Sequence, residues 1–300
     1  MTLRLDIGML KETYARFNAD KAPRLAAALS YTTIFALAPV FLLVVALVGQ
    51  ILGMTNGGHG HHIVEDQMLE AIKRSAGQAA ADTVKQIVTA SYGHRAQGGI
   101  AQVVGWVTLV LGAAGLFAAL QDALNTIWHV EPPKKALWAA IRDRVASIGM
   151  LLAIMFLLLV TTAINAVIAY VATYVSHALP FPGAGFVFAL INWVITLAIV
   201  TLLFALMYKY LPDAPIEWRD VWTGAFVTAV LFVVGQALIA LYLGRAGVAS
   251  AYGAAGSLLV LLLWIYYSSM ILLFGAEFTR VYAERHGSRT GAPPAEAAAA

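Results

Sequence analysis

Five stretches of this chain carry no Asp, Glu, Lys or Arg: residues 25–64, 96–121, 145–208, 221–244 and 246–276. A helix needs roughly 20 mainly apolar residues to cross a bilayer, and each stretch is long enough. Charged residues make up only 12% of the chain and hydrophobic ones 61%. A soluble fold of this length has no interior large enough to hide that much apolar surface, so the composition places the chain in a membrane.

The stretches resolve into six spans. The first holds one apolar run, 25–52, before Gly- and His-rich residues end it. The third holds two, because Pro180, Pro182, Gly183 and Gly185 make a tight turn near its middle. The expected spans are 25–52, 99–120, 145–175, 186–208, 221–243 and 254–277. Together they make one all-α, polytopic domain over residues 1–285, followed by an Ala-, Pro- and Gly-rich tail, 286–300, expected to be disordered. Six spans put both termini on one side. Of the 19 basic residues, 14 fall on that side and five on the other, so both termini are expected in the cytoplasm. Met1 to Arg24 carries charges throughout, which is unlike a cleavable signal.

Outside the spans, residues 3–21 place Leu3, Ile7, Leu10, Tyr14 and Phe17 on one helical face. An amphipathic helix follows, and it either lies on the cytoplasmic leaflet or packs on the bundle's own end. In the outward loop 53–98, Val64, Met68, Leu69 and Ile72, then Val84, Ile87 and Val88, recur at helical spacing. Short amphipathic helices are expected there, as a lid or as a structural cap. His59, His61 and His62, with Glu65 and Asp66 nearby, could share a metal, or could be scattered histidines of a solvated loop. No cofactor or resident metal is called for, and the absence of cysteine excludes disulfides and thiolate sites.

Ionisable residues at bilayer depth usually mark ion or proton pathways, and the spans have essentially none. Uncharged polar residues remain. Ser30 and Thr33 precede Pro39, whose missing N–H would kink the first span. Asn165, Asn192, Gln236 and Ser257 follow in the third to sixth spans. Each lines a pathway or makes an ordinary interhelical hydrogen bond. Small residues have a packing role, and the pairs Gly49 and Gly53, or Gly112 and Gly115, would let helices approach closely. At the cytoplasmic mouths stand Asp122, Asn125, Asp213, Arg219 and Asp220, while Glu277 and Arg280 end the sixth span at ion-pair spacing. Such a group is either an inner gate or a salt-bridge lacing of helix ends.

Several ordered motifs resemble the YihY/BrkB family of bacterial inner-membrane proteins. They are Ala26-Ala27-Ala28-Leu29-Ser30-Tyr31 leading to Phe35-Ala36-Leu37-Ala38-Pro39; Leu120-Gln121-Asp122-Ala123-Leu124-Asn125-Thr126-Ile127-Trp128; Leu211-Pro212-Asp213-Ala214-Pro215 with Trp218-Arg219-Asp220-Val221; and Tyr252-Gly253 through Ser257 to Gly275-Ala276-Glu277. The resemblance covers about residues 10–285. It implies a six-span helical protein of the inner membrane, and it brings no catalytic residues to carry over. Family members have carried a ribonuclease BN label and a virulence-factor label, and lipid or envelope-component movement has been proposed for relatives.

An enzyme is not expected. A ribonuclease needs acid–base or metal-binding groups beside a basic groove, and the cytoplasmic side offers no such constellation; nucleic acid is not an expected partner. The leading reading is a transporter or translocase of an envelope-related lipid or amphipathic solute. The alternative is a structural or regulatory protein that organises envelope partners within the lipid bilayer.

Overall fold

The structure, a computed structural model, describes residues 6–55, 60–93, 115–130, 184–245 and 256–290, and the secondary structure among them is entirely helical. In chain order the helices are α1 (Ile7–Ala19), α2 (Ala22–Thr55), α3 (Gly60–Ala76), α4 (Gln78–Gly93), α5 (115–127), α6 (Ala184–Tyr210), α7 (Trp218–Arg245) and α8 (Gly256–His286). The first expected span lies in α2, and the fourth, fifth and sixth lie in α6, α7 and α8. The second reaches the described residues only at the start of α5. The third, with Asn165, lies outside them, as do His59 and the tail 291–300.

Among the described residues, three helices are long and apolar enough to cross a membrane: Leu190–Tyr210, Trp218–Ile239 and Gly256–His286. Their outward surfaces carry Leu190, Ile191, Trp193, Val194, Phe226, Val234, Leu238 and Leu241, all exposed. That is the pattern of helices solvated by lipid on one side. α2 runs through Pro39 without interruption, and its 34 residues reach about 50 Å at 1.5 Å per residue.

α8 is the central element, touching α7, α2, α1, α3 and α4. Its seam with α7 is built from a reciprocal pair of small-residue notches. Gly224 and Thr228 lie four apart on α7, and Gly275 and Thr279 lie four apart on α8. The Thr279 side chain fills the space above Gly224, and the Thr228 side chain fills the space above Gly275. Each threonine hydroxyl bonds back to the glycine carbonyl one turn earlier, Thr228 Oγ1 to Gly224 at 2.7 Å and Thr279 Oγ1 to Gly275 at 2.6 Å. The knobs therefore enter the partner's notch without an orphaned hydroxyl. Tyr208 of α6 closes the seam, donating to the Leu272 carbonyl at 2.7 Å and standing 3.1 Å from Thr228 Oγ1. At Gly115 a Cβ would meet nothing within 4 Å among the described residues; Gly112 lies outside them.

α1 buries Phe17 of the expected face together with residues of the neighbouring stripe. Met9, Thr13 and Phe17 are buried; Met9 packs with Phe278, Val281 and Tyr282 of α8, and Phe17 meets Phe274 edge-on at 5.6 Å. Ile7, Leu10 and Tyr14 stay exposed. The bundle end takes the neighbouring stripe because α8 continues past the expected boundary at 277 to His286, and its last turns supply the docking surface.

The loop 53–98 contains the expected helices, α3 and α4, of 17 and 16 residues. Ala80, Val84 and Val88 of α4 are buried where α4 packs on α2 and α8. Between the two helices Gly77 adopts φ +89° with open space where a Cβ would sit. Gly77→Ala is expected to cost about 1–2 kcal/mol from the left-handed backbone alone. A drop in the thermal midpoint would show it, and an unchanged midpoint would mean that the turn relaxes.

Candidate functional site

Two helices at the α1 end of the bundle stop without glycine. α1 ends at Asp20 and Lys21, with Lys21 at φ 53°, and α5 ends at Trp128 and His129, with His129 at φ 50°. Residues with a Cβ rarely adopt this left-handed region, and holding them there costs about 1 kcal/mol or more each. The two turns face each other: His129 Nε2 lies 2.9 and 3.0 Å from the Asp20 carboxylate oxygens.

Arg280 pins both turns to α8. Its side chain is buried, at 8% exposure. Nη1 donates to the Ile127 carbonyl at 2.7 Å and to Asp20 Oδ2 at 3.2 Å, Nη2 donates to His129 Nδ1 at 3.2 Å, and Nε donates to Glu284 Oε1 at 3.1 Å. A guanidinium can only donate, so Nδ1 of His129 is the acceptor and Nε2 carries the proton given to Asp20.

Glu277 lies one turn before Arg280. It is fully buried, its Oε1 is 3.7 Å from Arg280 Nη1, and the Asp20 carboxyl also faces it. On the outer side Arg16 bridges Glu284 at 2.5 Å and Glu12 at 2.6 Å, and Glu12 also pairs with Arg285. Burial by itself would lower the Arg16 pKa. The Glu284 and Glu12 carboxylates outweigh it and raise the group above its usual value.

α5 joins this cluster to a second one. Asn125 is buried, donates to Asp213 Oδ2 at 2.8 Å and accepts from the Asp213 backbone N–H at 2.8 Å; Gln121 adds a donor at 3.3 Å. Asp213 sits in the turn between α6 and α7, so one amide side chain ties that turn to α5. Of the residues expected at the mouth, the structure joins Asn125 to Asp213, and Glu277 to Arg280. Asp122 is exposed on another face of α5. Asp220 is fully buried and accepts from the Ser288 backbone at 3.0 Å and hydroxyl at 2.6 Å, while Arg219 is exposed beside a separate cleft.

The polar residues of the spans are more dispersed. Ser30 and Thr33 bond back to Ala26 and Leu29 carbonyls at 2.7 and 2.6 Å, the usual way a helix satisfies such hydroxyls. Pro39, Gln236 and Ser257 are half-buried and Asn192 is exposed. No hydrogen bond among the described residues links these positions to the Arg280 cluster. Sequence reasoning does not single out Asp20, His129, Glu284 or Arg16. A usable signal exists in the Asp20-Lys21 and Trp128-His129 helix ends, where the expected glycine is missing and an ionisable residue stands in or beside the turn. Among the described residues no group of three or more His, Asp or Glu could hold a metal ion.

Comparison with known proteins places this arrangement among relatives. The family model described as Virulence factor BrkB matches residues 13–300. A UPF0761 membrane protein of Pseudomonas paraeruginosa is 31% identical over 270 residues, covering 87% of this chain and 59% of that relative. Another, of Verminephrobacter eiseniae, is 30% identical over 88% of this chain and 59% of its own length. A third, of Aggregatibacter aphrophilus, is 27% identical over 90% of both chains. The chain thus spans under two thirds of the first two relatives, and no solved structure matches it. The matched length, the apolar helices and the relatives' shared description agree: the chain is an integral membrane protein and belongs to the virulence factor BrkB family.

Proposed function

We propose that the protein is a transporter or translocase of an envelope-related lipid or amphipathic solute, located in the bacterial inner membrane. The Arg280 cluster is the latch of its cytoplasmic mouth. The observation that carries this reading is the fully buried Glu277 carboxyl, set beside Asp20 and beside a guanidinium that ties three separate parts of the chain together. A buried ion pair is commonly no more stable than a hydrophobic replacement, and two buried acids facing each other add a further cost. Two strained turns meet at the same point. A static bundle end needs none of this, whereas an element that must release and re-form is served by contacts of small net stability.

Reconstitution of the full chain in vesicles tests the reading. A fluorescent phospholipid analogue should change leaflets faster than in protein-free vesicles, and Asp20→Asn should alter that rate several-fold by weakening the latch while leaving Arg280 in place. If neither protein moves lipid faster than empty vesicles, the transport reading fails. The alternative, a structural or regulatory protein that organises envelope partners, is favoured by the packed interior: Phe41, Phe204, Leu261, Ile265 and Leu273 are buried in one continuous apolar core.

A further inference from the structure

On the same end of the bundle as Arg280, the end that the charge tally assigns to the cytoplasm, a cleft of about 570 Å³ opens between the end of α6, the start of α7 and the residues after α8. Three cations line it, Lys209, Arg219 and Arg289, against one carboxylate, Glu217. Two of the cations are held in place by neutral groups. Lys209 Nζ donates to the Ile216 carbonyl at 2.5 Å and lies 5.8 Å from the Trp218 ring centre. Arg289 Nη2 donates to the adjoining Pro215 carbonyl at 3.2 Å and lies 5.2 Å from the Trp128 ring centre. Backbone carbonyls and indole faces orient a cation without cancelling its charge. None of the three cations has a carboxylate partner among the described residues, in contrast to Arg16, Arg280 and Arg285 nearby, which all do. Of the other acids of this region, Asp220 is turned inward and capped by Ser288, and Asp213 is bonded to Asn125.

The surroundings set the depth of the cleft in the membrane. Tyr210 meets Trp218 edge-on and Trp218 meets Trp222 at a tilt, with ring centres 5.9 and 6.3 Å apart, and all three are exposed. Below them α7 presents Phe226, Val234 and Leu238 outward. Exposed Trp and Tyr above an apolar helix face mark the headgroup level of a bilayer.

We infer that this cleft binds the phosphate of an anionic phospholipid headgroup, with Lys209, Arg219 and Arg289 as its cationic lining and the aromatic row seating the glycerol and upper acyl region. Lys209 and Arg289 retain free N–H donors after their carbonyl bonds, and Arg219, which makes no side-chain bond among the described residues, completes the set. The site does not depend on transport, since a non-transporting bundle would hold the same lipid.

Native mass spectrometry of the full chain, released from nanodiscs of phosphatidylglycerol or of phosphatidylcholine, provides the test. Phosphatidylglycerol should be retained in preference to phosphatidylcholine. Arg219→Gln, an exposed and uncommitted position, should weaken retention about fivefold, on the basis of roughly 1 kcal/mol per basic residue at an anionic surface. Arg219→Lys should keep most of the binding. Arg24→Gln removes an exposed cation from the same end and should change nothing. Equal retention of both lipids, an unaffected Arg219→Gln, or an equal loss in Arg24→Gln would each overturn the proposal. So would displacement of the lipid by millimolar glycerol 3-phosphate, which would make the cleft a site for a soluble phosphate. Because binding is read without flux, failure here and failure of transport are separate results.

Discussion

Arg280→Met is expected to remove about 3–5 kcal/mol of stability, the usual consequence of taking one partner from a buried charge pair. The loss has two sources. Arg280 is the donor to Ile127, His129, Asp20 and Glu284, so its removal unties α5 and the α1–α2 turn from α8. It also leaves Asp20, Glu277 and Glu284 as neighbouring acids, and the fully buried Glu277 then keeps only the more distant Arg16 as a positive neighbour. Chemical unfolding in detergent micelles would measure the loss. Adding Glu277→Gln should return part of it, since the two positions share one network and their effects are not additive. A loss below about 1 kcal/mol in the single variant would mean that the cluster is solvated, and the latch reading would lose its basis.

Gly224→Ala and Gly275→Ala are the next largest. Alanine is the better helix former by about 1 kcal/mol, so on a free helix each change would stabilise. Here a Cβ at Gly224 would overlap the Thr279 hydroxyl and its branch carbon, and the methyl lies close behind, so no rotamer of Thr279 clears the space. At Gly275 the obstruction is Thr228 together with the Tyr208 hydroxyl, and relief would break the bonds that close the seam. Overpacking of this kind costs about 1–3 kcal/mol or more, which exceeds the propensity gain. Thermal unfolding should therefore fall for both variants. Combining Gly224→Ala with Thr279→Gly reopens the notch and should recover much of the loss. Gly115→Ala, with nothing near its Cβ among the described residues, is the control and should show no loss. A tolerated Gly224→Ala without the rescue would mean that α7 and α8 do not meet in this register.

Much of the helix content is legible in the amino-acid sequence. Charge-free stretches locate α2, α6, α7 and α8 because the cost of a charged side chain in hydrocarbon is a property of each residue and its neighbours along the chain. Helical spacing locates α3 and α4 for the same reason. The buried face of α1 is not legible in this way. Its apolar stripe at Leu3, Ile7, Leu10, Tyr14 and Phe17 predicts one face, while docking on α8 buries Phe17 together with Met9 and Thr13 and leaves Ile7, Leu10 and Tyr14 exposed. Both stripes are apolar enough to be covered, so periodicity alone does not choose between them. The extension of α8 to His286 is hidden by its charges, which end a hydrophobic run without ending a helix.

By itself, the amino-acid sequence determined the membrane class and the long apolar helices of the described residues, both of which follow from local hydropathy and charge. The meeting of Arg280 with Asp20, of Asn125 with Asp213, and of Gly224 with Thr279 was decided only by the tertiary structure. These partners are separated by 260, 88 and 55 positions along the chain. Their contact depends on helix register and crossing, where a rotation of one residue, 100° on a helix, exchanges one set of neighbours for another.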